Sequence, residues 1–228
     1  MFRRLLYKIG DPTTENSLSS RFRRKRFEFF KSIAGDILNR EIRILDVGGT
    51  VYFWEGTGFC NRPNIHIILL NLKPEPSPYP NIESISGDAR DLSRFEDRSF
   101  DIVFSNSVIE HVGDFNDQMS MAKEIQRVGK RYFVQTPNYY FPMEFHFLVL
   151  GWQFLPCKVR AFLLRHMRIM MRGKVRGYED SIAIVNSIRL LTKKELRKLF
   201  PRAALYCEKF FGITKSLVAY EGFDQDTA

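Results

Sequence analysis

Five short runs of apolar residues set what this chain can fold into. They are "IRILDV" (42–47), "IHIILLNL" (Ile65–Leu72), "ESISGDA" (Glu83–Ala89), "FDIVFSNS" (Phe100–Ser107) and "RYFVQTPN" (Arg131–Asn138). Most are apolar at nearly every position rather than at every second one, so both faces of such a strand must be covered. Helical patterns separate them, including a polar stretch from about Asp114 to Val128. Near-continuous strands alternating with helices predict a parallel sheet with helices on both faces. Ahead of them, residues 14–38 place Phe22, Phe27, Phe30, Ile33 and Ile37 close to one helical stripe behind an Arg/Lys cluster. After them, Thr192–Phe200 reads as a short helix with a Thr192 cap and Glu195 at the capping-box spacing. "ALYCEKFFGITKSLVAY", broken at Gly212, then predicts an antiparallel hairpin that finishes the sheet.

The sharpest local feature is the end of the first strand, Asp46-Val47-Gly48-Gly49. Parallel α/β sheets bind ligands beyond the carboxyl ends of their strands. Glycines there let the backbone approach a ligand closely, because no Cβ intervenes. A dinucleotide loop needs G-x-G-x-x-G, and this one continues Thr50-Val51-Tyr52-Phe53. A site for NAD also wants an acid at the end of the second strand, where this chain has Asn71. The loop points away from NAD.

Taken in order, Asp46 to Gly49, "LLNL", "SGDA", "FDIVFSNSVIEHV" and "VQTPN" resemble the class I S-adenosylmethionine-dependent methyltransferases. The resemblance is to the small-molecule, type 11-like members, and it covers about residues 27–138 and 192–220. It implies an α/β, Rossmann-like, seven-stranded and mostly parallel sheet with helices on both faces and the last strand antiparallel. It also implies S-adenosylmethionine as cofactor. Carried over by position, Asp46, Gly48, Gly49 and Thr50 would line the methionine end, with Asp46 holding the ammonium. Asn71 would stand at the ribose. Asp88 would accept from the adenine amino group, with the Ala89 amide beside it, and Ser105 and Asn106 would lie under the reacting centre. Thr50 and Tyr52 replace usual glycines, and Asn71 replaces a carboxylate that accepts from both ribose hydroxyls.

A sulfonium methyl is already activated, so a base is needed only where the acceptor must lose a proton. "TPNYYFPMEFHF" supplies Tyr139, Tyr140, Glu144 and His146, with His146 the first candidate and His111 the second. The expected activity is methyl transfer to a small-molecule or lipid-like acceptor. The alternatives are an RNA-directed methyltransferase and a non-catalytic binding protein on the same fold.

Charge distribution bears on the acceptor. Residues 1–43 carry 11 Lys/Arg against 5 Asp/Glu, residues 44–150 carry 9 against 14, and residues 151–228 carry 15 against 7. Basic flanks suit an anionic substrate, a lipid surface or nucleic acid. Nucleic acid is disfavoured, because no RNA-binding module is recognisable and "SNSV" lacks the aromatic-plus-Pro motif of base-N-methylating enzymes. Cys60, Cys157 and Cys207 show no metal-ligand spacing, so they read as reduced thiols in a cytoplasmic protein with no metal. The expected organisation is one domain over 1–228, with a basic helix at 15–38 and a helical lid at about 139–190. Within the lid, Pro156–Arg176 has seven Lys/Arg and no acid. As one helix it would gather Val159, Leu163, Met167 and Met170 on one side and Lys158, Arg165, Arg168 and Arg172 on another. That pattern suits a roof over the site or peripheral contact with a membrane.

Overall fold

The computed structural model describes residues 17–167, 169 and 175–223. Seven strands form the sheet: β1 (Ile42–Val47), β2 (Ile65–Asn71), β3 (Ile82–Ser86), β4 (Ile102–Asn106), β5 (Tyr132–Pro137), β8 (Ala204–Phe210) and β9 (Ile213–Glu221). Their order is β3-β2-β1-β4-β5-β9-β8. The first five run parallel, and β9 enters antiparallel between β5 and β8. The chain moves outward from β1 to β3, then returns to β4 on the other side of β1. That reversal opens a crevice above the β1 and β4 carboxyl ends, where such sheets take ligands.

Alternation along each strand divides two cores. On one face Ile44, Phe104, Phe133 and Val218 meet Phe27, Phe30 and Ala34 of helix α1 (Leu18–Ala34). Phe104 and Phe133 stack at 5.3 Å, and Phe30 sets its edge against both, at 5.2 and 5.4 Å. Trp54, from the short helix α2 (Val51–Glu55), completes that core. On the other face Leu45, Val47, Val103, Val134 and Leu217 pack against α3 (Phe115–Val128) and α6 (Lys193–Leu199). Fully burying each such side chain contributes about 1.5–3 kcal/mol, which holds both helix layers on the sheet. Both helices start with reciprocal capping boxes, Asp114 with Asp117 and Thr192 with Glu195.

Helix α1 starts at its Ser17 cap, whose hydroxyl accepts from the Ser20 amide at 3.0 Å. It is shorter than expected. Gly35, at φ +47°, breaks it, and a 3₁₀ turn over Gly35–Asn39 follows. Residues 15 and 16 of the expected helix lie outside the described residues.

The lid departs most from expectation. Residues 139–190 contain a two-residue antiparallel pair, β6 (Met143–Glu144) with β7 (Val149–Leu150), where no strand signature is legible. Of the expected helix over 156–176, the described residues form α4 (Cys157–His166). Met167 is extended, at ψ 149°, and the Val175 amide donates back to the Leu164 carbonyl at 3.2 Å. Ala161 and Leu164 are the buried positions of α4. They form a third core with Phe147, Trp152, Ile169 and Val185, the last on α5 (Tyr178–Asn186). Val159 and Met167, expected on the packed side, are 41% and 53% exposed. Arg168, Met170 and Arg172 lie outside the described residues. No helix among the described residues is long and apolar enough to cross a membrane.

Candidate active site

On the α1-facing side of the sheet, the apolar rows end in polar residues. Asp46 on β1, Asn106 on β4, Gln135 on β5 and Ser216 on β9 share that face near the carboxyl edge, with Asn106 opposite Gln135, Asp46 opposite Phe104 and Ser216 opposite Pro137. Above them opens a cavity of about 660 Å³. Asp46, Gly48, Gly49 and Thr50 form one end of its wall, and Phe141, Phe145 and Phe210 form much of the other.

Asp46 is 1% exposed. Trp54 Nε1 donates to its Oδ2 at 2.8 Å, while Oδ1 is buried with no partner among the described residues. Burial pushes its pKa up to about 7, against the opposing pull of the Trp54 hydrogen bond. A buried carboxylate with one orphan oxygen is costly unless a donor or cation joins it. The adjacent loop is built without Cβ atoms. One on Gly49 would sit 1.8 Å from Asp46 Oδ2, and one on Gly48, at φ +77°, would sit 2.4 Å from Val108 Cγ2. An orphan acceptor beside a bare-backbone cradle fits the ammonium end of S-adenosylmethionine.

The other expected positions divide. Thr50 lines the cavity and caps α2, its hydroxyl accepting from the Phe53 amide at 3.3 Å. Asn106 lines the cavity too. Asn71 Nδ2 donates to the Gly49 carbonyl at 2.7 Å, so this residue braces the glycine loop. A carboxylate there would face that carbonyl instead, a physical reason for the amide. Ser105 faces the opposite core, fully buried, and its hydroxyl ties β4 to the Val47 carbonyl at 3.1 Å. It is therefore not a wall of the cavity. Asp88 and Ala89 lie outside the cavity lining. Arg90 grips Asp88 through Nε, at 3.0 and 3.1 Å, and Nη2, at 2.7 Å, and bridges to Asp117 at 3.0 Å. Those hydrogen bonds hold the Asp88 carboxyl below its usual range. An adenine amino group at Asp88 would have to share it with Arg90.

The two histidines come together, their rings 4.8 Å apart and edge to face. His146 lines the cavity, and His111 lies behind it. His146 Nδ1 meets Glu144 Oε1 at 2.6 Å, and Glu144 Oε2 accepts from the Phe147 amide at 2.9 Å. Burial works to lower the His146 pKa, but the Glu144 hydrogen bond and charge outweigh it, and the net shift is upward. His111 is shifted down, first by burial and then by the charge of His146. Tyr139 and Tyr140 do not line this cavity.

Three wall residues escape a reading of the sequence. Arg26 is only 7% exposed and makes no hydrogen bond or ion pair to another described residue; burial lowers its pKa, and the charge of Glu208 opposes that. It sits four residues after Phe22 and four before Phe30, so helical spacing places it on the apolar stripe, although "RFRRKRF" looks like a solvated cluster. Lys215 lies over the Phe22 and Phe145 rings at 4.4 and 5.1 Å. Burial, then the charge of Arg26, brings its pKa down to about 8, although Glu208 stands 3.5 Å away. Gln135 accepts from the Ser107 hydroxyl at 2.8 Å; its strand position beside Asn106 is a usable signal.

Comparison with known proteins agrees with this architecture. A family profile described as a methyltransferase domain matches residues 62–132, from just before β2 to the start of β5. No curated protein matches the sequence. Among solved structures, a protein from Pyrococcus horikoshii OT3 aligns over 96% of both chains, at 17% identity and a TM-score of 0.50. The CurJ carbon methyltransferase aligns over 95% of this chain and 60% of its own, at 13% identity and a TM-score of 0.54. An O-methyltransferase family protein from Burkholderia thailandensis aligns over 92% and 59%, at 12% identity and a TM-score of 0.50. The chain thus spans about three fifths of the last two, and at such identities the likeness is one of fold. Strand order, glycine loop and the profile match over residues 62–132 agree on a methyltransferase domain on a Rossmann-like sheet, and such a domain implies S-adenosylmethionine as cofactor.

Proposed function

We propose that this enzyme methylates an apolar small molecule that carries an anionic group. The observation that carries this reading is the shape and charge of the cavity above the sheet. It runs from Asp46 and the glycine pair to an aromatic wall holding two cations, the buried Arg26 and the partly buried Lys215. Glu208 is the carboxylate against Lys215, and it is already bonded by the Ser216 hydroxyl. Asp46 and Lys215 stand on strands three pairings apart, β1 to β4 to β5 to β9. At about 4.8 Å per strand that is roughly 14 Å, too far for Lys215 to serve a methionine group seated at Asp46. Glu208 offsets one of the two cations, Arg26 and Lys215, and the remaining positive charge is left for the acceptor.

When bound, S-adenosylmethionine supplies a methyl group activated by its sulfonium charge. The chain's part is to place a nucleophile in line with that methyl, and such positioning can supply about 7–11 kcal/mol. Asp46 would fix the ammonium, and the Gly48 and Gly49 backbone would seat the methionine chain. Asn106 and Gln135 lie between the two ends of the cavity, where the acceptor's reacting atom must come. Phe22, Phe141, Phe145 and Phe210 would exclude water from the apolar body. Exposed Val159, Phe162 and Met167 on the lid support peripheral contact with lipid, which flotation with anionic vesicles tests.

Calorimetry with decanoate and decanol as probes tests the acceptor class. Decanoate should bind at least tenfold more tightly than decanol, and Lys215→Met should remove most of that preference, since a hydrogen bond to a charged group is worth about 1.5–3 kcal/mol. Equal affinities, or a preference that survives Lys215→Met unchanged, would rule out this acceptor class.

A further inference from the structure

We propose that Glu110, His111 and His146 form a binding site for a divalent transition-metal ion at the edge of the acceptor cavity. Each offers one ligand atom, and the three atoms lie within 4.8 Å of one another. Two imidazoles and one carboxylate are a donor set suited to zinc, manganese or iron(II), and less to magnesium or calcium.

Three further contacts point to a built site rather than a chance cluster. Glu110 is fully buried, and Thr136 Oγ1 donates to its Oε2 at 3.1 Å, but its Oε1 has no partner among the described residues. His146 is oriented from behind by Glu144, which takes Nδ1 and leaves Nε2 for a ligand. The Phe147 amide fixes that carboxylate in turn. This is the carboxylate–histidine arrangement that commonly stands behind a metal-bound imidazole. The charges of His146 and then of Arg26 reach Glu110, and among the described residues neither forms an ion pair with it.

The backbone supports convergence from separate elements. Glu110 and His111 stand on a 3₁₀ turn over Ile109–His111 just after β4, and the Arg189 amide pins the Glu110 carbonyl at 2.7 Å. His146 comes from the turn between β6 and β7. Metal bonds of about 2.0–2.2 Å would draw the three ligand atoms to roughly 3–3.5 Å apart, a shift that side-chain rotation can supply. With three protein ligands, positions stay open toward the cavity that His146 lines. An oxygen of the acceptor could occupy one, and His146 would then act as a ligand rather than as a free general base. The cation site itself does not depend on the identity of the acceptor.

The test uses the tag-free full chain, stripped with chelator and titrated with manganese, zinc and magnesium chlorides. Binding is followed by calorimetry and by the manganese resonance signal, which the three thiols do not mimic. The expected result is one equivalent of manganese or zinc, bound at least tenfold more tightly than magnesium. Glu110→Gln and His111→Ala should each lower that affinity at least tenfold, and Glu144→Gln should lower it 10- to 100-fold through His146. S-adenosylhomocysteine binding, read in the same samples, certifies that each variant is folded; where one is not, the other carries the test. No uptake of manganese or zinc, or uptake unchanged in the folded variants, would overturn the site and leave a hydrogen-bonded cluster only.

Discussion

Gly49→Ala is expected to weaken S-adenosylmethionine binding by at least a hundredfold while the sheet stays folded. The added methyl would lie 1.8 Å from Asp46 Oδ2 and 2.2 Å from its Cγ. The carboxylate cannot simply turn away, because Trp54 Nε1 holds it from the other side at 2.8 Å in a fully buried place. Displacing it breaks that bond, and an unsatisfied buried partner costs about 1–3 kcal/mol. It also removes the charge-assisted contact with the ammonium, about 1.5–3 kcal/mol more. Even the lower ends sum to near the roughly 2.8 kcal/mol that a hundredfold change represents. Gly48→Ala should fail for a different reason, since its φ of +77° and the Val108 contact strain the backbone itself. Calorimetry with the folded Gly49→Ala protein checks the prediction; an affinity within threefold of wild type would mean that the methionine end does not sit at Asp46.

Asp46 should also make cofactor affinity depend on pH. Its folded pKa of about 7 is raised by burial above the ordinary carboxyl value near 3.9. A raised acid contributes stability that is complete below about pH 4 and is lost as pH climbs toward 7. The loss is at most about 4 kcal/mol, since each pH step between the two values is worth about 1.4 kcal/mol. The ligand-free protein should therefore lose stability across that window, and Asp46→Asn should flatten the loss. A cationic ammonium reverses the preference by favouring the ionised carboxylate. Affinity for S-adenosylhomocysteine should then fall about tenfold for each pH unit below 7. Arg23 and Arg26 face the same cavity and keep their charge in this range, and His146, shifted upward by Glu144 against the effect of burial, faces it too. Asp46→Asn separates the two contributions. Were that variant to bind more weakly yet keep the same pH slope, another group would be responsible.

Much of this architecture is visible in the chain because its strands are buried on both faces. "IRILDV" and "FDIVFSNS" can be nothing else at that length without exposing apolar side chains. The capping box of Thr192 with Glu195 is equally local, and it marks a helix start. Less legible is whatever depends on tertiary neighbours. Arg26 looks solvated beside Arg23, Arg24 and Lys25, yet the phase of the Phe22–Phe30 stripe buries it. Asn71 looks like a weakened ribose contact, and only the fold shows that its amide also donates across to Gly49. The lid stripe from Val159 to Met170 presupposes one continuous helix. The chain leaves helical geometry at Met167, so the packed positions become Ala161 and Leu164. Glu110 and His146 are 36 residues apart in sequence, so only the fold shows that they meet.

The destination of the methyl group is the most direct test of the proposed function. Wild-type protein and Gly49→Ala, each incubated with methyl-labelled S-adenosylmethionine and fractionated cell extract, should differ in one fraction. With wild type, label should enter an acidic, organic-extractable small molecule, and with Gly49→Ala that signal should disappear. Label entering RNA instead, or no transfer from a wild-type protein that binds S-adenosylhomocysteine, would contradict the proposed function.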